Sequence, residues 1–186
     1  MQTLSIITGK YKNQKIEQVE DSRTKYTPSK VKNAVFSILE TKKPVYNSSF
    51  LDLCAGSGQI GFEALSRGAM FITFVDVSER AIKTLKNNAQ KLNCSKDIRI
   101  FKKDVIRFIK KPPAAYDIIF IDPPFNEEMF DKVMETLLNH QQLLKPDGRI
   151  VVECGGDFKI RESEKYMIED EHIYSSVKIE ILKRKG

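Results

Sequence analysis

Short apolar runs alternate along the middle of this chain with longer amphipathic stretches. The apolar runs predict strands at 50–54, 71–75, 98–101, 116–121 and 149–153. Apolar positions recur at helical spacing between them and predict helices at 59–67, 78–92, 104–110 and 127–142. Strands that alternate with helices in this way predict a parallel sheet with helices on both of its faces.

The two ends of the chain follow other patterns. Residues 4–7 and 15–19 are β-like runs joined by a basic turn, which predicts a hairpin. Thr27 and Pro28 then predict a helix start, with Thr27 as the cap. At the other end the run 177–182 has no crossover helix before it, which predicts a late antiparallel strand pair.

The chain therefore divides into a basic hairpin-and-helix extension at 1–43 and a main domain at 44–186. Its 186 residues suit one domain with a small appendage. Of the net charge of +6, the extension accounts for most, with nine Lys or Arg against four Asp or Glu. Such a segment favours contact with a polyanion, although a merely solvated basic surface has the same composition.

The cysteines and the apolar runs bear on location. Cys54, Cys94 and Cys154 are odd in number and far apart, which argues for a reducing compartment and against a disulfide framework or a zinc site. No run approaches the roughly 18 apolar residues that span a bilayer, and residues 1–7 lack the features of a secretory signal. We expect a cytoplasmic protein that binds neither membrane nor metal.

One loop carries the clearest chemistry, the string Asp122-Pro123-Pro124-Phe125. It follows the apolar run 116–121 and so lies at the carboxyl end of a strand, where ligands bind in open α/β sheets. The loop offers a carboxylate, a backbone carbonyl and an aromatic ring. A planar exocyclic amine needs acceptors for its two N–H groups and a ring to stack on, so the loop suits an amine acceptor.

A second motif indicates a nucleotide-like cofactor. The first strand is followed by a turn with the spacing GxGxxG, formed by Gly56, Gly58 and Gly61, and Asp76 ends the next strand. This spacing also fits an NAD-dependent dehydrogenase. Asp52 lies inside the first strand, however, where it could reach an amino group, and the Asp122 loop has no evident use in a dehydrogenase. The two motifs together favour S-adenosylmethionine facing an amine.

The residues resemble a known family, the class I S-adenosylmethionine-dependent methyltransferases, and within them the bacterial small-subunit (16S) ribosomal RNA guanine-N2 methyltransferases of the RsmD family. The resemblance covers nearly the whole chain. The stretches that carry it are 6–12, 31–39, 51–58, 61–69 and 118–125. It implies a Rossmann-like α/β fold, with a mostly parallel sheet, helices on both faces, an antiparallel C-terminal strand pair and a small N-terminal hairpin and helix.

The resemblance also implies roles for individual residues. The turn would hold the methionine carboxylate, Asp52 its amino group, Asp76 the ribose, Val77 the adenine ring and Asp104 the adenine amine. The alternative role for Asp104 is that of an ordinary helix N-cap. The expected cofactor-binding residues are Asp52, Ala55, Gly56, Ser57, Gly58, Asp76, Val77 and Asp104.

On the acceptor side, the expected catalytic residues are Asp122, Pro123, Pro124 and Phe125. Asp122 and the Pro123 carbonyl would accept from the amine, and Phe125 would stack on a flipped base. The expected RNA-binding residues are Lys10, Lys12, Lys15, Lys25, Lys30 and Lys32. The partner would be ribosomal RNA or the small subunit, and we expect a monomer because the chain shows no spare apolar helix face.

Other functions fit part of this pattern. Adenine N6 in DNA or RNA and a protein glutamine amide also present a planar amine, so the loop alone does not separate them from guanine N2. Outside methyl transfer, an NAD-dependent oxidoreductase fits the glycine turn, and a non-catalytic RNA-binding module fits the basic extension.

Overall fold

The computed structural model describes residues 3–19, 26–122, 126–160 and 163–186, and its largest feature is a seven-stranded sheet. Its strands are β3 (Ser49–Leu53), β4 (Phe71–Asp76), β5 (Ile98–Lys102), β6 (Tyr116–Ile121), β7 (Leu144–Gly155), β8 (Tyr166–Tyr174) and β9 (Val177–Arg184). A separate two-stranded hairpin consists of β1 (Thr3–Ser5) and β2 (Lys15–Glu17). The helices are α1 (Ser29–Lys42), α2 (Gln59–Ser66), α3 (Glu79–Lys91), α4 (Val105–Lys110) and α5 (Glu127–Asn139).

The strand order is β5-β4-β3-β6-β7-β9-β8. The first five strands in this order are parallel, whereas β9 runs antiparallel to both β7 and β8. The chain builds outward from β3 in one direction and then from β6 in the other. The boundary between β3 and β6, where Leu53 is paired with Ile121, is therefore the topological switch point at which open α/β sheets bind ligands.

Helices cover both faces of the sheet. Apolar residues of α1, α2 and α3 pack on one face, around Phe50, Phe74 and Phe120. Those of α4 and α5 pack on the other, around Leu53 and Ile121. Because β6 is buried on both sides, its sequence is almost continuously apolar.

The hairpin is fixed to the main domain by buried polar side chains. The carboxylate of Glu63 in α2 is fully buried and accepts hydrogen bonds from the backbone N–H groups of Ile7 (2.8 Å) and Thr8 (3.0 Å). In α3, the buried Asn88 accepts from the N–H of Glu17 (2.7 Å) and donates to its carbonyl (3.0 Å). The hairpin therefore packs as a layer on α2 and α3.

These elements confirm the fold class predicted from the sequence, and two helix ends differ from the prediction. Thr27 is not the cap of α1; Pro28 takes that position, and the Thr27 hydroxyl bonds to a distant carboxylate instead. The helix predicted to end at 142 ends at Asn139, and a short 3-10 turn at Gln141–Leu143 leads into β7. Within the described residues, no helix is long and apolar enough to cross a bilayer.

Candidate functional site

Acidic side chains gather where the parallel strands end. Asp52 belongs to β3, Asp76 ends β4, Asp122 follows β6 and Glu153 lies near the end of β7. A cleft with an enclosed volume of about 50 Å³ opens between β3 and β6. Its described lining consists of Tyr26, Thr27, Asp52, Cys54, Ala55, Gly56, Ser57, Gln59, Ile60, Phe120 and Asp122. Because ligand pockets usually enclose about 300–1,000 Å³, a nucleotide-sized ligand would extend out of it along the strand ends.

The glycine turn between β3 and α2 is shaped by close packing. Gly58 has a φ of +78°, and a Cβ there would lie 2.6 Å from Leu85 Cδ2. At Gly61 a Cβ would lie 2.2 Å from Phe74 Cε1, so only glycine lets α2 approach β4 this closely. The amide of Gly56 donates to Asp76 and that of Gly58 to the Ala55 carbonyl, each at 2.8 Å. These two amides therefore have partners within the protein.

Asp52 is a buried carboxylate at the base of the cleft. It is 2% exposed, and it accepts one hydrogen bond, 2.9 Å long, from the backbone N–H of Gly61. Burial raises the pKa of Asp52 well above its usual range, and the nearby carboxylates of Asp76 and Asp122 add to this effect. A cation at this position would relieve both penalties, so the side chain is suited to an ammonium group.

Asp76 lies beside the turn and links it to the start of α3. One of its carboxylate oxygens accepts from Gly56 and the other from the N–H of Ser78, both at 2.8 Å. Each oxygen can accept a further bond, so the half-buried carboxylate can still take hydroxyl groups. Val77, next to it, is 68% exposed, which is unusual for valine and provides an apolar surface for a ring.

Asp104 follows β5, the neighbour of β4. Its carboxylate accepts a 2.9 Å hydrogen bond from the N–H of Arg107, so it caps α4. A carboxylate retains acceptor capacity while capping, and both expected roles are compatible with the geometry.

Asp122 lies on the cleft wall formed by β6, half-buried and facing the glycine turn. The structure thereby brings the two motifs of the sequence together across the switch point. Pro123, Pro124 and Phe125 lie outside the described residues, so their expected roles remain sequence-based predictions.

Glu153 is a site residue that the sequence analysis missed. It is 6% exposed, and its carboxylate accepts a 2.7 Å hydrogen bond from the hydroxyl of Thr27. Burial raises the pKa of Glu153, and the Thr27 hydroxyl partly offsets that rise. Since Thr27 and Tyr26 line the cleft, this bond fastens the segment before α1 over the carboxyl ends of the strands.

The expected RNA-binding lysines separate into two groups. Lys10, Lys12, Lys15 and Lys30 are exposed, whereas Lys25 lies outside the described residues. Lys32 is 2% exposed; its ammonium donates to the Ser5 carbonyl (3.1 Å) and lies 3.6 Å from Glu63. Lys32 therefore holds the hairpin and does not present its charge to a ligand, which contradicts the expectation for this residue.

The three cysteine thiols are poorly suited to act as nucleophiles. Burial raises the pKa of all three thiols, to about 11 for Cys94 and about 12 for Cys154, so they are poor nucleophiles near neutral pH. Among the described residues, no group of three or more His, Cys, Asp or Glu side chains is arranged to hold a metal ion.

Comparison with known proteins places this geometry in context. The family model described as Conserved hypothetical protein 95 matches residues 4–183. The ribosomal RNA small subunit methyltransferase D of Haemophilus influenzae is 33% identical over 155 residues, which cover 82% of this chain and 79% of that protein. The protein of the same name from Buchnera aphidicola (strain Bp) is 32% identical over 141 residues, covering 76% and 71%.

A solved structure shows the same architecture. The crystal structure of Haemophilus influenzae HI0767 superposes with a TM-score of 0.82 at 28% identity and covers the whole of both chains. The arrangement of sheet, helices and late antiparallel strands is the class I methyltransferase fold.

Proposed function

The chain belongs to the Conserved hypothetical protein 95 (RsmD) family, and from that premise we propose that it transfers a methyl group from S-adenosylmethionine to the exocyclic N2 amine of a guanine in small-subunit ribosomal RNA. The observation that carries the proposal is the position of Asp122. Its carboxylate faces the Asp52 cleft across the switch point, so an amine bound to Asp122 would meet a ligand held by the glycine turn.

The described residues fit S-adenosylmethionine. Asp52 offers a buried carboxylate to the ammonium of its methionine part, and it lines the same cleft as Gly56 and Ser57 of the glycine turn. Asp76 has acceptor capacity for the ribose hydroxyls, and the exposed side chain of Val77 suits one face of the adenine. The sulfonium supplies an activated methyl group, so the protein need only bind, orient and desolvate.

Asp122 would orient the acceptor amine. A carboxylate that accepts one N–H fixes the direction of the nitrogen lone pair, and near-attack positioning of this kind is worth up to about 7–11 kcal/mol. By the family resemblance, the Pro123 carbonyl would take the second N–H and Phe125 would stack on the base, worth about 1–3 kcal/mol. Flipping the base out of its helix costs a few kcal/mol, which these contacts would offset.

The exposed lysines of the hairpin and of the start of α1, Lys10, Lys12, Lys15 and Lys30, would contact RNA phosphates. Lys10, Lys12 and Lys15 belong to the hairpin layer, which hydrogen bonds fasten to α2 and α3, the helices that follow β3 and β4. RNA gripped there is therefore held at a fixed distance from the cleft.

The test is transfer of labelled methyl from S-adenosylmethionine to small ribosomal subunits that lack the modification, with naked ribosomal RNA, DNA and total protein as parallel acceptors. We expect N2-methylguanine in the ribosomal RNA. Label in adenine N6 or in glutamine would leave the fold and the cofactor assignment intact and would overturn the proposed acceptor, guanine N2.

Asp122→Asn provides the matched variant. It keeps the shape of the side chain and replaces one acceptor oxygen by a donor, so turnover should fall at least about 100-fold while cofactor affinity stays within a few-fold. Asp157→Asn, in an exposed turn after β7, loses the same charge and should leave turnover unchanged. Parallel loss of cofactor binding and turnover in Asp122→Asn would contradict its assignment to the acceptor.

A further inference from the structure

The strongest concentration of positive charge lies outside the extension. Residues 80–111 carry eleven Lys or Arg and two Asp or Glu, a net +9, while the segments 44–79 and 112–186 together have a net charge of −8. The charge is therefore strongly polarised within the main domain.

The fold gathers this segment along one margin of the sheet. β5 is an edge strand, paired with β4 alone among the described strands. α3 packs on one face of the sheet beside it and α4 on the other. We call the exposed basic residues of α3, β5 and α4 the β5 flank.

The side chains of the β5 flank point to solvent. On α3, the buried residues Ala81, Ile82 and Leu85 lie on the side opposite Lys83, Lys86 and Lys91. On α4 and the turn after it, Arg107, Lys110 and Lys111 are exposed. These six cations make no ion pair with any residue that the structure describes, whereas Lys102 of β5 is paired with Glu79 at 2.6 Å.

Protection of an edge strand does not account for this arrangement. Charges on the strand itself, such as Arg99 and Lys102, are sufficient to prevent pairing with another chain. Within α3, Lys83 and Lys86 lie three residues apart, as do Arg107 and Lys110 within α4, and like charges at this spacing repel one another. A bound polyanion would remove that repulsion.

The β5 flank is also continuous with the hairpin. Asn87 of α3 donates to the carboxylate of Glu17 at 3.2 Å, and Asn88 bonds to the backbone of the same residue. At its upper end the flank reaches the cofactor edge, because the N–H of Lys103 bonds to the carbonyl of Asp76. Next to α4 on the same face of the sheet lies α5, which has acidic residues in its first turn, Glu127 and Glu128.

From this arrangement we propose that the β5 flank is a second RNA-backbone surface, and that the RNA runs from the hairpin across α3 to β5 and α4 without extending over the acidic start of α5. The inference rests on the proposed function and specifies the path of the bound RNA across the protein surface. It assigns phosphate contacts to Lys83, Lys86 and Lys91, and to Arg107, Lys110 and Lys111.

The test compares two triple variants of the full chain with equal charge loss. Lys83→Gln/Lys86→Gln/Lys91→Gln removes three charges from the flank, and Lys132→Gln/Lys159→Gln/Lys165→Gln removes three from exposed positions on the α5 side. The probe is unmodified small-subunit ribosomal RNA, titrated between about 50 and 200 mM salt.

We expect the flank variant to bind between about 10- and 100-fold more weakly near 0.1 M salt, and the slope of log affinity against log salt to fall by up to about 2, since each phosphate contact contributes roughly 0.7 to that slope for single strands. The KM of the flank variant for RNA should rise, while its kcat and its affinity for the cofactor should remain unchanged. The α5-side variant should match the parent protein.

Equal binding by the two triple variants would overturn the proposal, as would a larger loss in the α5-side variant. These outcomes are distinguishable from failure of the proposed function. In that case the parent protein would transfer no methyl group to ribosomal RNA under any salt condition.

Discussion

Removal of the Glu63 carboxylate is expected to detach the hairpin from the main domain. Glu63 is fully buried and holds four groups: the N–H groups of Ile7 and Thr8, the Arg67 guanidinium at 3.0 Å and the Lys32 ammonium at 3.6 Å. In Glu63→Ala the ammonium stays buried without its counter-charge. Breaking a buried ion pair in this way costs about 3–5 kcal/mol, a large share of the roughly 5–15 kcal/mol that stabilises a domain.

Urea denaturation measures this loss. With a slope of about 2–3 kcal/mol per molar for a chain of this size, a loss of about 4 kcal/mol lowers the midpoint by roughly 1–2 M. Hydrogen exchange should show the amides of Ile7 and Thr8 losing protection before the strands of the large sheet. Glu40→Ala, on the exposed side of α1, removes the same group and should stay within about 0.5 kcal/mol.

A double variant separates the charge from the packing. Lys32→Met added to Glu63→Leu removes both buried charges, and a buried pair replaced by apolar groups is often neutral, so stability should recover by at least about 2 kcal/mol relative to Glu63→Ala. A Glu63→Ala protein that lost less than about 1 kcal/mol, or that kept the hairpin amides protected, would refute the reasoning.

Three further predictions concern buried polar contacts. Asn88→Ala leaves the N–H and carbonyl of Glu17 and the carbonyl of Ser57 without their partner. Urea denaturation should therefore show the free energy of unfolding falling by about 2–4 kcal/mol. The control Asn87→Ala loses one hydrogen bond to a Glu17 carboxylate oxygen and should lower it by less than about 1 kcal/mol. Thr27→Val removes the hydroxyl that lowers the pKa of Glu153. The pH profile of methyl transfer should therefore move to higher pH, with at least about a threefold loss of kcat/KM, whereas Thr27→Ser should keep both at the parent values. An unchanged profile in Thr27→Val would exclude a link between this bond and the cleft. Asp117, whose side chain is 14% exposed, accepts hydrogen bonds from Ser49 and Lys145 that hold its pKa at about 2 despite burial. Because this folded-state pKa lies below the unfolded value near 3.8, the ionised carboxylate contributes about 1–2 kcal/mol to the free energy of unfolding above pH 4, and this contribution disappears as the pH falls toward 2. Asp117→Asn should therefore flatten the curve of unfolding free energy against pH over that interval.

The elements around the switch point could be predicted because their causes are local. β6 is buried on both faces, so its apolar run is uninterrupted, and the positive φ of Gly58 is a property of the turn itself that favours glycine. The position of Thr27 could not be predicted, because its hydroxyl bonds to Glu153, which lies 126 residues later in the chain. Lys32 was misassigned for the same reason, since its partner Glu63 belongs to another helix.

β8 was also missed. It pairs with β9 alone among the described strands, and its exposed and buried positions do not alternate regularly because the register shifts between Ile168 and Asp170. Half-exposed edge strands carry mixed polar and apolar residues, and such a sequence resembles a loop.

Glu153, by contrast, has a local signal in the sequence. Asp52 is a charged residue inside an apolar run, and Glu153 likewise interrupts the apolar stretch from Ile150 to Cys154. The structure shows what distinguishes such residues from structural charges. Lys178 and Glu180 also interrupt an apolar run, but they lie two residues apart and neutralise each other at 2.9 Å. Asp52 and Glu153 have no cation beside them among the described residues; they accept only an N–H or a hydroxyl, and burial raises the pKa of both. A buried acid without a counter-charge at the carboxyl end of a parallel strand therefore indicates a site that a cationic ligand completes.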